Sequence, residues 1–514
     1  MKILLINPGH DGSHELYKHD CSIRSTHRDP PPIGILYVGT YLHENGYDID
    51  ILDTHIHDNY RELILDKIQN NDYLFCGISV IIGKFQKNAE EITRLIKSVK
   101  SDLPVVWGGI MASIRSESML REYSPDYIVR YDGEDTTLEL AKALETQSDV
   151  SKIDGLAYRD KDEIRVTPPR MPKVDLDYYP VPKWELFGEH FNREQVPYYF
   201  SIMSSRGCPF NCSFCYKHSI DQRLCGRIPP WRFRSADHII KEVSYINSKT
   251  KTTVFTFGDD NFIVDKKRAL DVLRFFKEQN FYIEECIGHL NCLDVELMEA
   301  MAGIVQTFIF SIETASPRLQ KILNKKISLS SIPGKMSELL RLGIAPSTNF
   351  IIGLPSEDMS DLRANIELMM KLKSIHPYIR GNIYLYLPLP DTKLFDATEE
   401  LCGVKLRNDL LFYENANMYV KSTFDPYGNA FRPWLSSDKF NMLVQYASIF
   451  NDLFQTFNME PSPQSMELLS GNKDLIALFA GFEDINRPKN RSRLYVLDKV
   501  LEGTPIDLLH SFEQ

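Results

Sequence analysis

Short apolar runs of strand length alternate with helical patterns along most of this chain, and the alternation starts twice. The first series has strand patterns at residues 2–7, 47–53, 74–80, 104–107 and 127–130, with helical segments between them. One of these segments, 34–45, is amphipathic and closed by Gly46. A chain that returns to a strand after each helix builds a parallel sheet with helices on its faces, so residues 1–150 are expected to form a doubly wound α/β domain, Rossmann-like in outline. The second series has strand patterns at 199–203, 253–257, 282–287, 307–312, 348–352 and 383–387. Ser235, Asp265, Asp294, Ser328 and Ser356 stand where its helices would begin, each a suitable N-cap. Six strand–helix repeats close into a partial (βα)6 barrel of the TIM type over residues 196–395, with its site at the carboxyl ends of the strands.

Between the two series, residues 151–195 are expected to form a linker. A hairpin pattern over 153–166 opens it, and Pro168, Pro169, Pro172, Pro180 and Pro182 then interrupt any regular element. Residues 396–514 are expected to form a mainly helical cap on the barrel, with helices clearest at 438–454 and 464–469. Aromatic residues such as Phe412, Tyr413, Tyr419 and Trp434 are frequent there and suit a packed interior.

Composition narrows the function classes. The 514 residues are 43% hydrophobic, enough for two or three cored domains. A formal net charge of −11 argues against a general nucleic-acid surface, which needs a basic footprint. Residues 1–8 read as a first strand and lack the length and cleavage site of a signal peptide. No apolar stretch reaches the roughly 18 residues that a membrane span needs. Nine cysteines, mostly isolated, suit a reducing, cytoplasmic location.

Three of those cysteines lie together. Cys208, Cys212 and Cys215 share one loop, introduced by Ser204-Ser205-Arg206-Gly207 at the end of the first barrel strand. Three thiolates on a short loop can hold three irons of a [4Fe–4S] cluster and leave the fourth iron open to another ligand. A zinc site would want a fourth ligand, and His218 stands within reach in sequence. A disulfide would leave one cysteine odd. Cys225, Cys286, Cys292 and Cys402 fit no ligand pattern and are expected to be structural.

The spacing Cys-x3-Cys-x-aromatic-Cys, with Phe214 as the aromatic residue, resembles that of the radical S-adenosylmethionine enzymes. The resemblance implies that Cys208, Cys212 and Cys215 ligate the cluster and that S-adenosylmethionine chelates its open iron. It also implies subsites at successive strand ends. Gly258, Asp259 and Asp260, in Phe257-Gly258-Asp259-Asp260-Asn261-Phe262, look like the glycine-rich motif that receives the amino group of S-adenosylmethionine. Ser311 and Glu313 would contact the ribose or methionyl moiety, and Gly353 resembles the family's glycine turn beside adenine.

A doubly wound domain ahead of such a barrel is similar to the cobalamin-binding domain of one large subgroup. Pro8, Gly9, Ser79, Gly108, Gly109 and Gly133 look like the turns that cradle the nucleotide tail of cobalamin there. The Asp-x-His-x-x-Gly signature of cobalt-ligating proteins is missing. Asp53-Thr54-His55-Ile56-His57-Asp58 comes nearest but lacks the glycine, so cobalt is expected without a protein histidine beneath it. Together these imply a cobalamin-dependent radical enzyme that methylates or otherwise alkylates an unactivated carbon of a peptide or small natural product. Flavodoxin or ferredoxin would donate the electron. The alternatives are a radical rearrangement or cyclisation, such as tetrapyrrole ring closure or peptide cyclopropane formation, and a non-catalytic zinc- or cluster-binding module.

Overall fold

The computed structural model describes residues 1–9, 32–54, 57, 59–81, 83–191, 200–217, 231–376, 378–406, 432–455, 465, 467–468 and 472–478. The first sheet contains β1 (Lys2–Asn7), β2 (Asp48–Asp53), β3 (Tyr73–Ser79), β4 (Val105–Gly108), β5 (Tyr127–Val129), β6 (Leu156–Asp160) and β7 (Glu163–Val166), in the order 2-1-3-4-5-6-7. The first five strands pair in parallel. β1 is buried on both faces, which explains why Ile3, Leu4, Leu5 and Ile6 form an unbroken apolar run. Its faces are covered by α1 (Ile33–Glu44), α2 (Tyr60–Asn70), α3 (Lys84–Val99), α4 (Ile110–Ile114), α5 (Ser116–Glu122) and α6 (Glu134–Thr146). The β6–β7 hairpin pairs antiparallel with β5, so the first sheet runs on past residue 150.

The second sheet contains β8 (Phe200–Ile202), β11 (Val254–Phe257), β12 (Tyr282–Ile287), β13 (Val305–Glu313), β14 (Ala345–Ile352) and β15 (Arg380–Leu385). All six are parallel and stand in sequence order, as a partial barrel requires. A separate antiparallel ribbon joins β9 (Ser205–Gly207) to β10 (Trp231–Phe233). Packed around the barrel are α7 (Ala236–Thr250), α8 (Lys266–Gln279), α9 (Val295–Met301), α10 (Pro317–Ile322), α11 (Ile332–Arg341), α12 (Met359–Ile375) and α13 (Lys393–Cys402).

Three of the expected caps are made: Ser235, Asp265 and Asp294 each accept from a backbone N–H three residues on. Two are not. Ser328 precedes only a short 3-10 turn and makes no side-chain cap bond to it, and α11 starts at Ile332. Ser356 has a left-handed backbone (φ 60°) and cannot open a helix; Asp358 does so, in a capping box with Asp361.

Of the carboxyl-terminal region, α14 (Ser437–Gln455) and α15 (Lys473–Leu478) are described. Half of the helix expected at 464–469, and most of the aromatic group, lie outside the described residues. α14 covers the last strand. Asn451 Oδ1 accepts from Ile383 N at 2.8 Å and its Nδ2 donates to Ile383 O at 3.3 Å, so the exposed edge of β15 is met by a side chain. No described helix is long and apolar enough to cross a membrane.

The two sheets share apolar contacts. Ile35 and Leu36 of α1 lie in the barrel's core, and Leu387, just beyond β15, lies in the core of the first domain. An interface with buried apolar residues from both sides favours a fixed relation between the halves.

Candidate active site

The three cysteines follow β9 directly, on a loop held from below. Ser213 donates from its backbone to Leu323 O at 2.9 Å and from its hydroxyl to Ile322 O at 2.7 Å, and Asn324 Nδ2 donates to Asn211 O at 2.5 Å. Phe214 packs into a small apolar cluster with Leu319, Leu323 and Leu394, so in this structure its ring anchors the loop. Phe210 stacks on His289 with ring centroids 3.7 Å apart. Burial pushes the thiols of Cys208 and Cys215 up to about 11, and raises that of Cys212. They are therefore neutral without metal, and coordination would deprotonate them. Among the described residues no three His, Cys, Asp or Glu side chains converge on a single metal ion. His218 and Cys225 lie outside the described residues.

The strand ends next to this loop divide the expected site residues by role. Gly258 has no room for a side chain, because a Cβ there would come within 2.9 Å of Ser201 Oγ. Asp259 is buried and spoken for. It accepts from Ser204 N and from the hydroxyls of Ser204 and Ser205, and Arg268 clamps the same turn through Ser204 Oγ (2.8 Å) and O (2.9 Å). Burial raises its carboxyl, opposed by Arg268. Asp260 instead points toward the cysteine loop, pairing with Lys217 at 3.2 Å and adding to the field at Cys208 and Cys215. The sequence could not tell these neighbours apart; the structure does.

β13 and β14 lose register between Ser311 and Glu313, a bulge that re-aims the strand end. Glu313 sits there with φ 67°, a left-handed conformation costly for a non-glycine residue and found where surroundings enforce it. Gln320 enforces it, donating to the carbonyls of Ile312 and Thr314, both at 2.7 Å. Lys325 Nζ lies 3.1 Å from Glu313 Oε1, both groups buried, and Lys325 also feels Cys212 and Cys208. Lys325 was not singled out by the sequence, since nothing in a Lys325-Lys326 pair after a helix marks it as buried. Ser311, Asn349 and Asn382 stand side by side on β13, β14 and β15, and Asn349 Nδ2 donates to Ser311 Oγ at 3.4 Å. Gly353 has φ 74°, donates to Glu357 Oε2 at 2.6 Å and accepts from Trp434 at 3.1 Å.

On the first sheet, Pro8 and Gly9 follow β1, Ser79 ends β3, Gly108 ends β4, Gly109 opens α4 and Gly133 opens α6. All lie at one carboxyl-terminal edge, where ligands of such sheets bind. Their freedom differs. A Cβ on Gly108 would meet only Val129 O, at 3.8 Å, whereas one on Gly109 would strike the Val80 backbone at 2.8 Å. Gly9 N already donates to Thr54 Oγ1. Next to this edge lies Gln86, fully buried in the first turn of α3, with neither its amide oxygen nor its nitrogen hydrogen-bonded among the described residues. His55 lies outside the described residues.

Residues 21–141 match the family model of the B12 binding domain, and residues 202–369 match that of the radical SAM superfamily. The chain is a cobalamin-binding-domain radical S-adenosylmethionine enzyme. Among relatives of this radical enzyme, an uncharacterized methyltransferase of Pyrococcus horikoshii is 28% identical over 430 residues, covering 83% of this chain and 87% of its own. The anaerobic magnesium-protoporphyrin IX monomethyl ester cyclase of Synechocystis sp. is 28% identical over 277 residues, 52% of this chain and 51% of its own. Two solved structures share the fold. The radical S-adenosylmethionine methyltransferase TsrM from Kitasatospora setae superposes with a TM-score of 0.64 at 17% identity, over 79% of each chain. The cobalamin-dependent radical enzyme OxsB gives 0.66 at 16% identity, over 100% of this chain and 80% of its own. The donor sets fit the family's cofactors: three free thiols on one loop, one buried and two partly so, open space at Gly108, and a buried carboxamide awaiting a partner at Gln86.

Proposed function

We propose that this radical enzyme transfers a methyl or related alkyl group to an unactivated carbon of a peptide or small natural product. The observation that carries the reading is the meeting of two carboxyl-terminal strand edges. The residues just after β8 and β15 touch the first domain at its own strand-end side: Tyr37, in the first turns of α1, donates to Met203 O at 3.0 Å, and Leu387 packs into that domain's core. When bound, the cluster and S-adenosylmethionine supply a 5′-deoxyadenosyl radical, and cobalamin supplies the methyl group.

The chain's own residues have holding and positioning work. Cys208, Cys212 and Cys215 would hold the cluster. Gly258 and Asp260 would receive the methionyl end of S-adenosylmethionine, with Asp259 keeping their turn fixed from beneath. Ser311, Glu313 and Gly353 would line the rest of its length, and Ser311, Asn349 and Asn382 present hydroxyl and amide groups to a polar ligand. Pro8, Gly9, Ser79, Gly108, Gly109 and Gly133 would cradle the cobalamin tail, with Gln86 giving its unpaired amide a partner. A flavodoxin or ferredoxin fits as reductant, and a reducing cytoplasm suits the free thiols.

The test is anaerobic reconstitution with hydroxocobalamin, iron, sulfide and methyl-labelled S-adenosylmethionine, followed by mass analysis of candidate products. A gain of one labelled methyl group supports the reading. A product that has lost hydrogen without gaining label would favour cyclisation, the activity named for the Synechocystis relative.

A further inference from the structure

A buried cluster of opposite charges joins the two halves where the cysteine loop begins. Asp132 accepts from Arg232 Nη1 at 2.5 Å and pairs with Arg206 Nη1 at 3.2 Å, and Glu134 takes the other arm of Arg206 at 2.5 Å. The Arg206 guanidinium also lies over the rings of Tyr37, at 5.3 Å, and Tyr179, at 5.6 Å. The two arginines stand opposite each other on the β9–β10 ribbon, so they reach the acids together. Arg206 is two residues from Cys208. Asp132 and Glu134 flank Gly133, in the turn between β5 and α6.

The same turn is tied to the neighbouring strand end of the first domain, after β4. Tyr131, held at φ 67°, donates its N–H to Ser113 Oγ at 2.7 Å, and that hydroxyl donates to Gly109 O at 2.7 Å. Hydrogen bonds join Gly109 to Ser113 and Ser113 to Tyr131, the chain carries on to Asp132, and the ion pair to Arg206 ends two residues before Cys208. Adhesion between the halves does not depend on this cluster, because Ile35, Leu36 and Leu387 already supply apolar contact. Buried ion pairs add little net stability, but they fix geometry, since a guanidinium left without its acids in the interior is strongly penalised.

We propose that Arg206 is a positioning residue that couples occupancy of the first domain's strand-end cleft to the geometry of the three-cysteine loop. The inference rests on the cobalamin reading given above. Anything that fixes the Gly109 and Asp132 turns fixes the loop on which Cys208 sits, and by linkage the reverse holds with the same factor.

The experiment uses the full chain with its cluster reconstituted. The affinity for S-adenosylmethionine is read from the electron paramagnetic resonance of the reduced cluster, with and without hydroxocobalamin. The affinity for hydroxocobalamin is read by absorbance, with and without S-adenosylmethionine. In the wild type each ligand should raise the other's affinity by about fivefold or more, the usual range of such coupling. Arg206→Met should still bind both, with the coupling reduced to within about twofold of none. Asp132→Asn keeps the turn's shape and leaves Arg206 its bond to Glu134; it should show an intermediate coupling, and it serves alone if Arg206→Met does not fold. Wild-type coupling in these variants, or none in the wild type, overturns the inference while the cobalamin reading stands. A wild type that binds no hydroxocobalamin sinks both.

Discussion

At the scale of single residues, the two adjacent aspartates show how differently like side chains can serve. Asp259 accepts several hydrogen bonds from Ser204 and Ser205, and Asp260 faces the cysteines. Asp259→Ala should therefore lower unfolding stability by about 1–3 kcal/mol, the cost of leaving the buried donors of Ser204 and Ser205 without an acceptor, with a correspondingly lower thermal midpoint. Asp260→Asn should leave that midpoint nearly unchanged and weaken S-adenosylmethionine binding, measured by equilibrium titration. The reverse pattern would exchange their roles. Cys208→Ser, Cys212→Ser and Cys215→Ser should each abolish 5′-deoxyadenosine formation, and a wild-type yield from any one refutes the cluster assignment. Glu357 offers a pH test. It is buried with Oε1 unpartnered among the described residues, and burial pushes its carboxyl from 4.5 up to about 8. A group raised in the folded state contributes stability below its unfolded value, which is lost as pH climbs to the folded one. Glu357→Gln should therefore gain on the wild type in thermal midpoint between pH 5 and pH 8, and a gap independent of pH would contradict the assignment.

At the scale of elements, the sequence carried what is local and missed what is paired at a distance. Ser235, Asp265 and Asp294 cap helices because an N-cap acts within three residues. Ser356 misled because the Asp358–Asp361 box lies just beyond it. The extension of the first sheet by β6 and β7 was hidden, since pairing with β5 is not written in either segment alone. The cysteine loop was legible from spacing, whereas its neighbours Lys325 and His289 were not, because only folding brings them there. The carboxyl-terminal edge of the first sheet gives a matched pair of tests. Gly109→Ala should destabilise the protein, its Cβ meeting the Val80 backbone at a φ of 94°. Gly108→Val should keep the fold and weaken hydroxocobalamin binding, measured by absorbance titration. Gln86→Leu should act in two directions. Without cobalamin it removes an unsatisfied buried amide and should stabilise the chain by about 1–3 kcal/mol. With cobalamin present it should weaken binding, and unchanged affinity would show that Gln86 meets no ligand.

At the scale of the whole molecule, the arrangement is two mainly parallel sheets whose carboxyl-terminal strand edges meet through both apolar and ionic contact. The chemistry in view needs that arrangement, because reacting groups gain most when held together in a shielded gap. The interface also bears on how such a protein can be rebuilt. Its halves look like separable cassettes, and a chimera joining this barrel to another chain's first domain is an obvious construction. Yet Arg206 and Arg232 come from the barrel side and Asp132 and Glu134 from the other. A graft that omits the acids would strand two cations in a dry seam, and one that omits the arginines would strand two anions. Recombination between relatives should therefore succeed only at junctions that transplant the acid-bearing turn together with the ribbon that answers it.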